Sequence, residues 1–329
     1  MTKRIDLVRE TVRRFNHLPN RTIARHLINT HGDMFDQDLE KARNAVRHVR
    51  GVHGQESRKA GINTGNEDLF KSSVEKLKMP ETWRKVNVPY QLRPGSYLVL
   101  SDVHVPFHEI KPLEAVLEWG KAEKVTGVLF NGDIWDCAAV SYWPTARRDF
   151  NREIEAFVDY LDIMRREFAG CRMIYKPGNH EYRLPRRFVD KMPELAESPL
   201  AAMETVVGFE DRQIEFLDYT QVVMAGKLPI IHGHEVRNIE RMVSPARGLF
   251  RRSKTFSACS HCHSTSEYST RNIHGDLMTC WSFGCLCDLQ PDYNPFGNDW
   301  NWGAAIVHVE ADGNFEVDNR RVMPSGKLR

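Results

Sequence analysis

The sequence predicts an α/β fold, in which a mixed β-sheet or two packed sheets are flanked by helices, with a small helical domain at the N-terminus. From about residue 97 to residue 175, short apolar runs alternate with helical patterns, and after about residue 214 the chain reads mostly as strands. The first fifty or so residues instead carry apolar side chains at helical spacing. Together these patterns predict a layered α/β body that is preceded by a helical module.

Three short helices are predicted in the N-terminal module. The first spans residues 5–16, the second begins where Asn20 can act as its cap, and the third runs from about residue 38 to residue 50. The third helix is basic, and its candidate nucleic-acid contacts are Lys41, Arg43, Arg47 and Arg50. Three helices with a basic third one resemble a helix-turn-helix module, whose third helix enters the major groove of DNA. The alternative is a small bundle that packs on the body or mediates dimerisation.

The charge of the chain is unevenly distributed. Residues 1–60 carry thirteen Lys and Arg against seven Asp and Glu, whereas the rest of the chain carries 33 against 37. A basic end on a mildly acidic body is typical of a partner-binding module attached to a catalytic domain. We therefore expect a helical module at 1–53, a polar linker at 54–90 with one short helix near 69–77, and a catalytic domain at 91–329.

Neither a membrane span nor a secretory signal is expected from this sequence. Apolar runs are far shorter than the eighteen or so residues of a membrane helix, and the basic N-terminus is not followed by an apolar segment. We therefore expect a cytoplasmic protein of a bacterium or a phage-infected host cell. The seven cysteines are expected to be reduced thiols, although Cys259 and Cys262 have the spacing of a zinc site and Cys285 and Cys287 could contribute to one.

Five groups of metal-ligand side chains lie where predicted strands end. They are Asp102 and His104; Asp133 with Asp136; Asn179, His180 and Glu181; His232 with His234; and His261 with His263. Any one group is a weak signal, but five at successive strand ends are hard to reach by chance. Mixed carboxylate, imidazole and amide ligands suit divalent Mn, Fe, Zn, Ni or Co. Two such ions about 3.5–4 Å apart can share a hydroxide, which is a nucleophile at neutral pH.

The order of these motifs resembles that of the calcineurin-like metallophosphoesterase superfamily, of the phage or bacterial type. The motifs are Asp-x-His, Gly-Asp-x-x-Asp, Gly-Asn-His-Glu, a single His and His-x-His, and they cover roughly residues 96–310. The resemblance implies two packed mixed β-sheets flanked by helices. It also implies a dimetal phosphoesterase whose two divalent metal ions we expect to be manganese, with Fe, Zn, Ni and Co as alternatives.

The resemblance further implies a role for each motif residue. One metal ion would be bound by Asp102, His104 and His263, the other by Asn179, His232 and His261, and Asp133 would bridge the two. His180 would face the substrate and protonate the leaving oxygen or stabilise charge, with Asp136 or Glu181 orienting it. Arg183 is a candidate phosphate clamp, and an exposed arginine at a helix start is the alternative.

The sequence departs from the family pattern at one position. The last motif usually reads Gly-His-x-His, whereas this chain has Ser260 in the place of the glycine. Serine fits there unless the backbone needs a positive φ. His234 could also compete with His232 as the ligand, and the family pattern favours His232.

An aromatic-rich stretch follows the last motif. Its aromatic residues are Trp281, Phe283, Tyr293, Phe296, Trp300 and Trp302. The stretch could stack bases or other planar groups, and core packing of a loop is the alternative interpretation for most of its residues.

The motifs predict the reaction type, while the substrate must be argued separately. The basic N-terminus favours a phosphodiesterase or nuclease acting on nucleic acid, with DNA as the expected partner. The alternatives are a phosphatase for small molecules or proteins, a cyclic nucleotide phosphodiesterase, and an inactive DNA-binding regulator. The sequence also leaves open whether the chain forms a homo-oligomer.

Overall fold

Continuous apolar runs form the central strands of the fold. The computed structural model describes residues 2–16, 18–51, 87–142, 149–239 and 244–329. The chain divides into two compact units, the first ending at Arg84 and the second beginning at Lys85. The predicted short helix near 69–77 and most of the predicted linker at 54–90 lie outside the described residues, and Tyr90 at the end of that linker begins a strand.

The N-terminal unit contains three α-helices within its described part. They are α1 (Thr2–Arg14), α2 (Asn20–His31) and α3 (Leu39–Val49). Each helix contributes to a shared core, as Val12, Leu27 and Val46 illustrate, all of which are fully buried. The connection between α2 and α3 is longer than the turn of about three or four residues that joins the helices of a helix-turn-helix motif, because it includes a 3₁₀ turn over Gly32–Phe35.

The start of α2 differs from the prediction, and Arg50 has hydrogen bonds within the bundle. Asn20 is the first residue of α2 and not its cap, and Pro19 precedes it. The Arg50 guanidinium donates hydrogen bonds to the carbonyl oxygens of Asn16 and Leu18, at 2.8 and 2.9 Å, and to the Asn20 side chain. Arg50 therefore fastens the end of α3 to the α1–α2 connection. These bonds engage the two Nη atoms of Arg50 within the bundle, so this arrangement gives no support to its predicted role as a nucleic-acid contact.

The second unit contains two six-stranded mixed sheets within the described residues. The strands of the first sheet, in spatial order, are β12 (Phe315–Arg321), β11 (Gly303–Val309), β2 (Gly95–Leu100), β3 (Gly127–Asn131), β4 (Arg172–Lys176) and β5 (Ile214–Phe216). Those of the second sheet are β1 (Tyr90–Gln91), β6 (Val223–Ala225), β7 (Leu228–Ile230), β8 (Ser257–Cys259), β10 (Leu277–Ser282) and β9 (Ser266–Arg271). The strands β2 to β5 are parallel, and β11 pairs antiparallel with β2.

Alternate residues of the central strands pack against different layers. On β2, Tyr97 and Val99 belong to the core between the two sheets, whereas Leu98 and Leu100 belong to the core beneath the helices. Both faces of the strand are therefore buried, which explains why it reads as an unbroken apolar run. The helices over this core are α4 (Ile110–Ala122) and α5 (Phe150–Glu167). The predicted pair of packed mixed sheets flanked by helices is confirmed.

Three further helices of this unit are α6 (Arg183–Lys191), α7 (Met203–Val206) and α8 (Pro245–Ser253). The sequence suggested only the start of α6, as the alternative for Arg183, and did not predict α7 or α8. The helix α6 buries only Leu184, so it lacks the apolar stripe that a sequence reading depends on. The helix α8 covers the outer face of the second sheet, and the Ser244 side chain accepts a hydrogen bond from the Arg247 amide as its cap. No helix among the described residues is both long and apolar enough to cross a membrane.

Candidate metal centre

The predicted ligands lie at the carboxyl ends of neighbouring strands. Asp102, Asp133 and Asn179 follow β2, β3 and β4, which are parallel and adjacent in the first sheet. His232 and His261 follow β7 and β8, which are parallel neighbours in the second sheet. Parallel strands end at the same edge of a sheet, so these side chains converge.

Asn131 joins the ends of the two sheets. Its side-chain amide donates to the Ile231 carbonyl and to the Ser260 hydroxyl, each at 2.9 Å. Its own backbone carbonyl lies 2.7 Å from the His232 Nδ1 atom. This contact fixes the imidazole so that its Nε2 atom faces the centre, which is the usual way in which a ligating histidine is oriented.

The first ligand group consists of Asp102, His104 and His263. The His263 Nε2 atom is 3.1 Å from Asp102 Oδ1 and 3.2 Å from His104 Nε2. The ligand atoms of Asp102, His104 and Asp133 also lie within 4.8 Å of one another. All four side chains are at least nine-tenths buried.

The second ligand group consists of Asp133, His232 and His261, whose ligand atoms again lie within 4.8 Å of one another. The His232 Nε2 atom is 3.2 Å from Asp133 Oδ2. Asp133 has ligand atoms within 4.8 Å of Asp102 and His104 in the first group and of His232 and His261 in the second. A bridging carboxylate requires this arrangement.

Several buried ligand atoms have no hydrogen-bond partner among the described residues. They are Asp102 Oδ1, Asn179 Oδ1 and His232 Nε2. Asp102 Oδ1 and His232 Nε2 do contact His263 and Asp133, at 3.1 and 3.2 Å, but without hydrogen-bond geometry. Buried polar atoms without a hydrogen bond are costly, and these atoms fit cation ligands. The donor set of carboxylate, imidazole and amide oxygen also suits a borderline divalent ion. The residues present therefore fit a pair of divalent metal ions.

The ligand loops adopt a strained backbone. Positive φ angles occur at Asp102 (51°), His104 (53°), Asp133 (53°), His261 (68°) and His263 (54°). Non-glycine residues rarely adopt this region, and each costs on the order of 1–3 kcal/mol. Strain of this kind is typical of functional sites.

Ser260 takes the place of the family glycine without needing a positive φ, since the left-handed residues are its neighbours His261 and His263. Its buried hydroxyl also accepts the hydrogen bond from the Asn131 side chain. Two other glycines are required by close approach. A Cβ atom on Gly178 would collide with the Asp133 carboxylate and amide, and one on Gly132, whose φ is +89°, would collide with the His232 ring.

Glu181 organises the loops that carry Asp133 and Asn179. Its fully buried carboxylate accepts hydrogen bonds from four backbone amides and from the Tyr175 hydroxyl. The amides are those of Asp133, Ile134, Trp135 and Gly178. None of the described hydrogen bonds of this carboxylate is to the His180 ring, so no contact supports the alternative in which Glu181 orients His180.

Asp136 is the residue that contacts both His180 and His104. Its Oδ2 atom lies 2.9 Å from His104 Nδ1 and 3.3 Å from His180 Nδ1, and its carbonyl oxygen lies 3.1 Å from the same His180 atom. The Arg183 guanidinium donates to the Asp136 carbonyl at 2.9 Å and lies 3.0 Å from His180 Nε2. Arg183 is one-quarter exposed. The structure thus brings the three predicted catalytic residues other than Glu181 together beside the ligands.

Lys176 and Glu235 form a buried ion pair that the sequence reading missed. Lys176 is fully buried at the end of β4, and its Nζ atom is 2.7 Å from Glu235 Oε1. The Glu235 carboxylate also accepts from the backbone amides of His232 and Gly233, at 3.4 and 2.7 Å. The pair therefore stabilises the loop that carries His232 through its backbone amides. His234 lies at its outer side, 3.5 Å from Glu235, and is absent from the ligand groups of the described residues.

The four cysteines that were candidates for a zinc site form two separate pairs, Cys259 with Cys262 and Cys285 with Cys287. The Cys287 sulfur is 3.7 Å from His263 Nδ1, on the side of the ring opposite Asp102, and Cys285 interacts with both. Cys259 and Cys262 contact each other. Among the described residues, no candidate metal cluster combines these two pairs.

The histidines of the second group have opposite pKa shifts. Burial lowers the pKa of His232, but the Asp133 carboxylate outweighs it and raises the pKa to about 10. Burial and the charge of His232 lower the pKa of His261 to about 4. His261 is therefore neutral at pH 7, whereas a cation must displace a proton from His232, so binding of metal should release protons.

Comparison with known proteins gives matches over the same region. The family model for the calcineurin-like phosphoesterases matches residues 95–280. Gene 54 protein of Mycobacterium phage L5 is 24% identical over 229 residues, which are 66% of this chain and 89% of that protein.

Two solved structures also match the chain. A predicted phosphoesterase from Streptococcus pneumoniae matches 70% of this chain and 99% of its own, with 15% identity and a TM-score of 0.28. A dimetal phosphatase from Danio rerio matches 70% and 96%, with 12% identity and a TM-score of 0.35.

We predict that Glu235→Gln destabilises the protein in a pH-dependent way. At about pH 7 the variant leaves Lys176 buried without a counter-charge, which should cost about 3–5 kcal/mol. Burial raises the pKa of Glu235, but the Lys176 charge outweighs it and lowers the pKa from 4.5 to about 2. Because the folded-state pKa is the lower one, the advantage of the wild type is complete above about pH 4.5 and shrinks as the pH falls toward about 2. Urea unfolding in the presence of EDTA, between about pH 7 and pH 3, measures the difference in free energy of unfolding between the wild type and the variant.

The double variant Lys176→Met, Glu235→Gln is the control. It removes both charges and should recover part of the lost stability at neutral pH. A difference between wild type and Glu235→Gln that stays constant over the acid range would contradict the assignment of this pair.

Proposed function

We propose that this chain, which belongs to the calcineurin-like phosphoesterase family and is a metal-dependent phosphoester hydrolase, is a nuclease. Its proposed substrate is the phosphodiester backbone of a nucleic acid, with DNA favoured. The observation that carries this proposal is the basic three-helix unit on the same chain as the metal centre.

The charge of the N-terminal unit supports a polyanionic partner. The excess of Lys and Arg over Asp and Glu in residues 1–60 is six. Exposed basic side chains occur on all three helices, for example Arg14 on α1, Arg25 on α2 and Lys41 on α3. Basic surfaces of this kind bind phosphate backbones and release counterions as they do so.

Lys41, Arg43 and Arg47 are the proposed contacts on α3. Lys41 pairs with Asp36 at 2.8 Å, and Arg43 pairs with Glu40 at 3.2 Å, both on the surface. Exposed pairs of this type contribute about 0–1 kcal/mol, so a phosphate can replace the carboxylates at little cost.

The residues around His180 support general acid catalysis. Asp136 contacts the Nδ1 side of the imidazole, and Nε2 lies 3.8 Å from Asp133 Oδ2 and 3.0 Å from the Arg183 guanidinium. The guanidinium must turn to a bound phosphate before Nε2 can face the substrate. The carboxylates of Asp133 and Asp136 outweigh the effect of burial and raise the pKa of His180. We propose that Nε2 delivers its proton to the leaving oxygen and that the adjacent Arg183 guanidinium binds a phosphoryl oxygen.

The metal ions complete this chemistry. Two divalent cations held by the seven ligand residues would supply Lewis acidity and lower the pKa of water to about 7. We propose manganese, since three of the seven ligand residues, Asp102, Asp133 and Asn179, supply the oxygen ligands that suit it. The four histidines suit the alternatives Fe, Zn, Ni and Co.

The first test compares ester classes. Wild-type protein with Mn²⁺ is expected to hydrolyse bis-(p-nitrophenyl) phosphate faster than p-nitrophenyl phosphate and to cut DNA. Asp133→Asn weakens the bridging position and should lower the diesterase rate at least a hundredfold, on the order of 3 kcal/mol.

Preference for the monoester, with nucleic acids left uncut, would contradict the nuclease proposal and favour a phosphatase. Binding of DNA that Asp133→Asn does not change, without turnover of any ester, would favour the regulatory alternative. The comparison should include single- and double-stranded DNA and RNA.

The second test concerns the basic unit. The triple variant Lys41→Ala, Arg43→Ala, Arg47→Ala should weaken DNA binding and reduce the slope of log K against log salt concentration by up to about three. The control variant Arg251→Ala, Arg252→Ala, Lys254→Ala removes the same charge from the second unit and should leave the slope unchanged. Equal slopes for both variants and the wild type would contradict a role of α3 in binding.

A further inference from the structure

The aromatic-rich stretch after the last motif divides into a buried and an exposed part. Trp281 and Phe283 are buried in the core between the sheets. Tyr293 and Phe296, in contrast, are 73% and 85% exposed, and Trp300 is half-buried. Large aromatic side chains exposed on one loop are unfavourable in water, and this favours a binding role for the loop.

The loop that carries the exposed aromatic residues is hydrogen-bonded at both ends to the loops that carry the metal ligands. At its start, the Leu286 amide donates to the Asp102 carbonyl at 3.0 Å and the Asp288 amide to the Phe107 carbonyl at 2.9 Å. At its end, the Asn301 amide donates to the His263 carbonyl at 2.8 Å. The loop is therefore held beside the metal centre.

Two of the aromatic rings form a continuous surface that begins at a ligand. The Trp300 ring lies on the His263 imidazole, with centroids 4.1 Å apart. The Tyr293 ring meets Trp300 edge-on, with centroids 6.3 Å apart. The surface thus extends outward from the first ligand group.

Tyr293 reaches toward the catalytic side of the centre. Its ring contacts Trp300, which contacts the ligand His263. Tyr293 also lies within electrostatic reach of Asp136, Asp133 and Arg183. A group bound on the Tyr293 ring would therefore lie next to a phosphate held by the ligands and Arg183.

We propose that Tyr293 and Trp300 form a stacking surface for an unpaired nucleobase next to the scissile phosphodiester, an inference that rests on the nuclease proposal. Stacking needs a base whose face is free, so the strand at the active site is single-stranded or locally unpaired. Stacking on an aromatic side chain tolerates every base, so this surface gives a preference for nucleotides without a sequence preference.

The test compares a single-stranded trinucleotide with its abasic counterpart, which has the same phosphates. Wild-type enzyme with Mn²⁺ should cleave the base-containing substrate with a kcat/KM about 5- to 150-fold higher, the effect expected of one stacked base. Tyr293→Ala should abolish this preference, by lowering kcat/KM for the base-containing substrate more than for the abasic one. Tyr293→Phe keeps the ring and should keep the preference.

Phe296→Ala is the matched control, because Phe296 is exposed on the same loop and has no described ring contact with Trp300. It should keep the preference. Equal loss of cleavage on both substrates in Tyr293→Ala, or equal loss of preference in Phe296→Ala and Tyr293→Ala, would overturn the proposal.

A binding measurement separates this inference from the nuclease proposal. A trinucleotide with a central 2-aminopurine should be quenched on binding to the wild type with Mn²⁺, less so with Tyr293→Ala, and fully with Tyr293→Phe. Quenching without cleavage of either trinucleotide would refute the nuclease proposal and support the stacking surface. Cleavage with no base preference and no quenching would support the nuclease proposal and refute the stacking surface.

Discussion

The buried carboxylate of Glu181 holds together the two loops that supply the bridging aspartate and the amide ligand. It accepts hydrogen bonds from the amides of Asp133 and Gly178, so the ends of β3 and β4 share one anchor. A buried charge is stable only when it is fully hydrogen-bonded, and this one has five donors. The anchor also explains why a glycine is needed at position 178, where the backbone meets Asp133 too closely for a side chain.

The metal centre combines rigid support with local strain. The ligands lie at the ends of buried strands. The Asn131 side chain, at the end of β3, also links the two sheets by donating hydrogen bonds to Ile231 and Ser260. This support allows Asp133 and His261 to keep left-handed backbone conformations that would be unstable in a free loop. Preorganised ligands of this kind bind cations without rearrangement, which is what a site for charge stabilisation requires.

The unbroken apolar runs were sufficient to predict the strands of a layered α/β body, and the motifs at their ends predicted the ligand types. The pair of packed sheets followed from the family resemblance of those motifs. The sequence did not reveal contacts between distant parts of the chain. The Lys176–Glu235 pair spans 59 positions and the contact of Arg50 with the Asn16 carbonyl spans 34, and neither has a local pattern. The same limit applies to Glu181, whose donors are backbone amides that any residue type can provide. Exposure on the aromatic loop, at Tyr293 for example, likewise depends on how the whole fold packs.

The most direct test of the dimetal centre is to locate the metal ions by anomalous diffraction from crystals grown with Mn²⁺. A dimetal centre predicts two peaks about 3.5–4 Å apart, with Asp133 between them. One peak should contact the group of Asp102, His104 and His263, and the other the group of Asn179, His232 and His261. A single peak, or two peaks that do not share Asp133, would contradict the dimetal assignment.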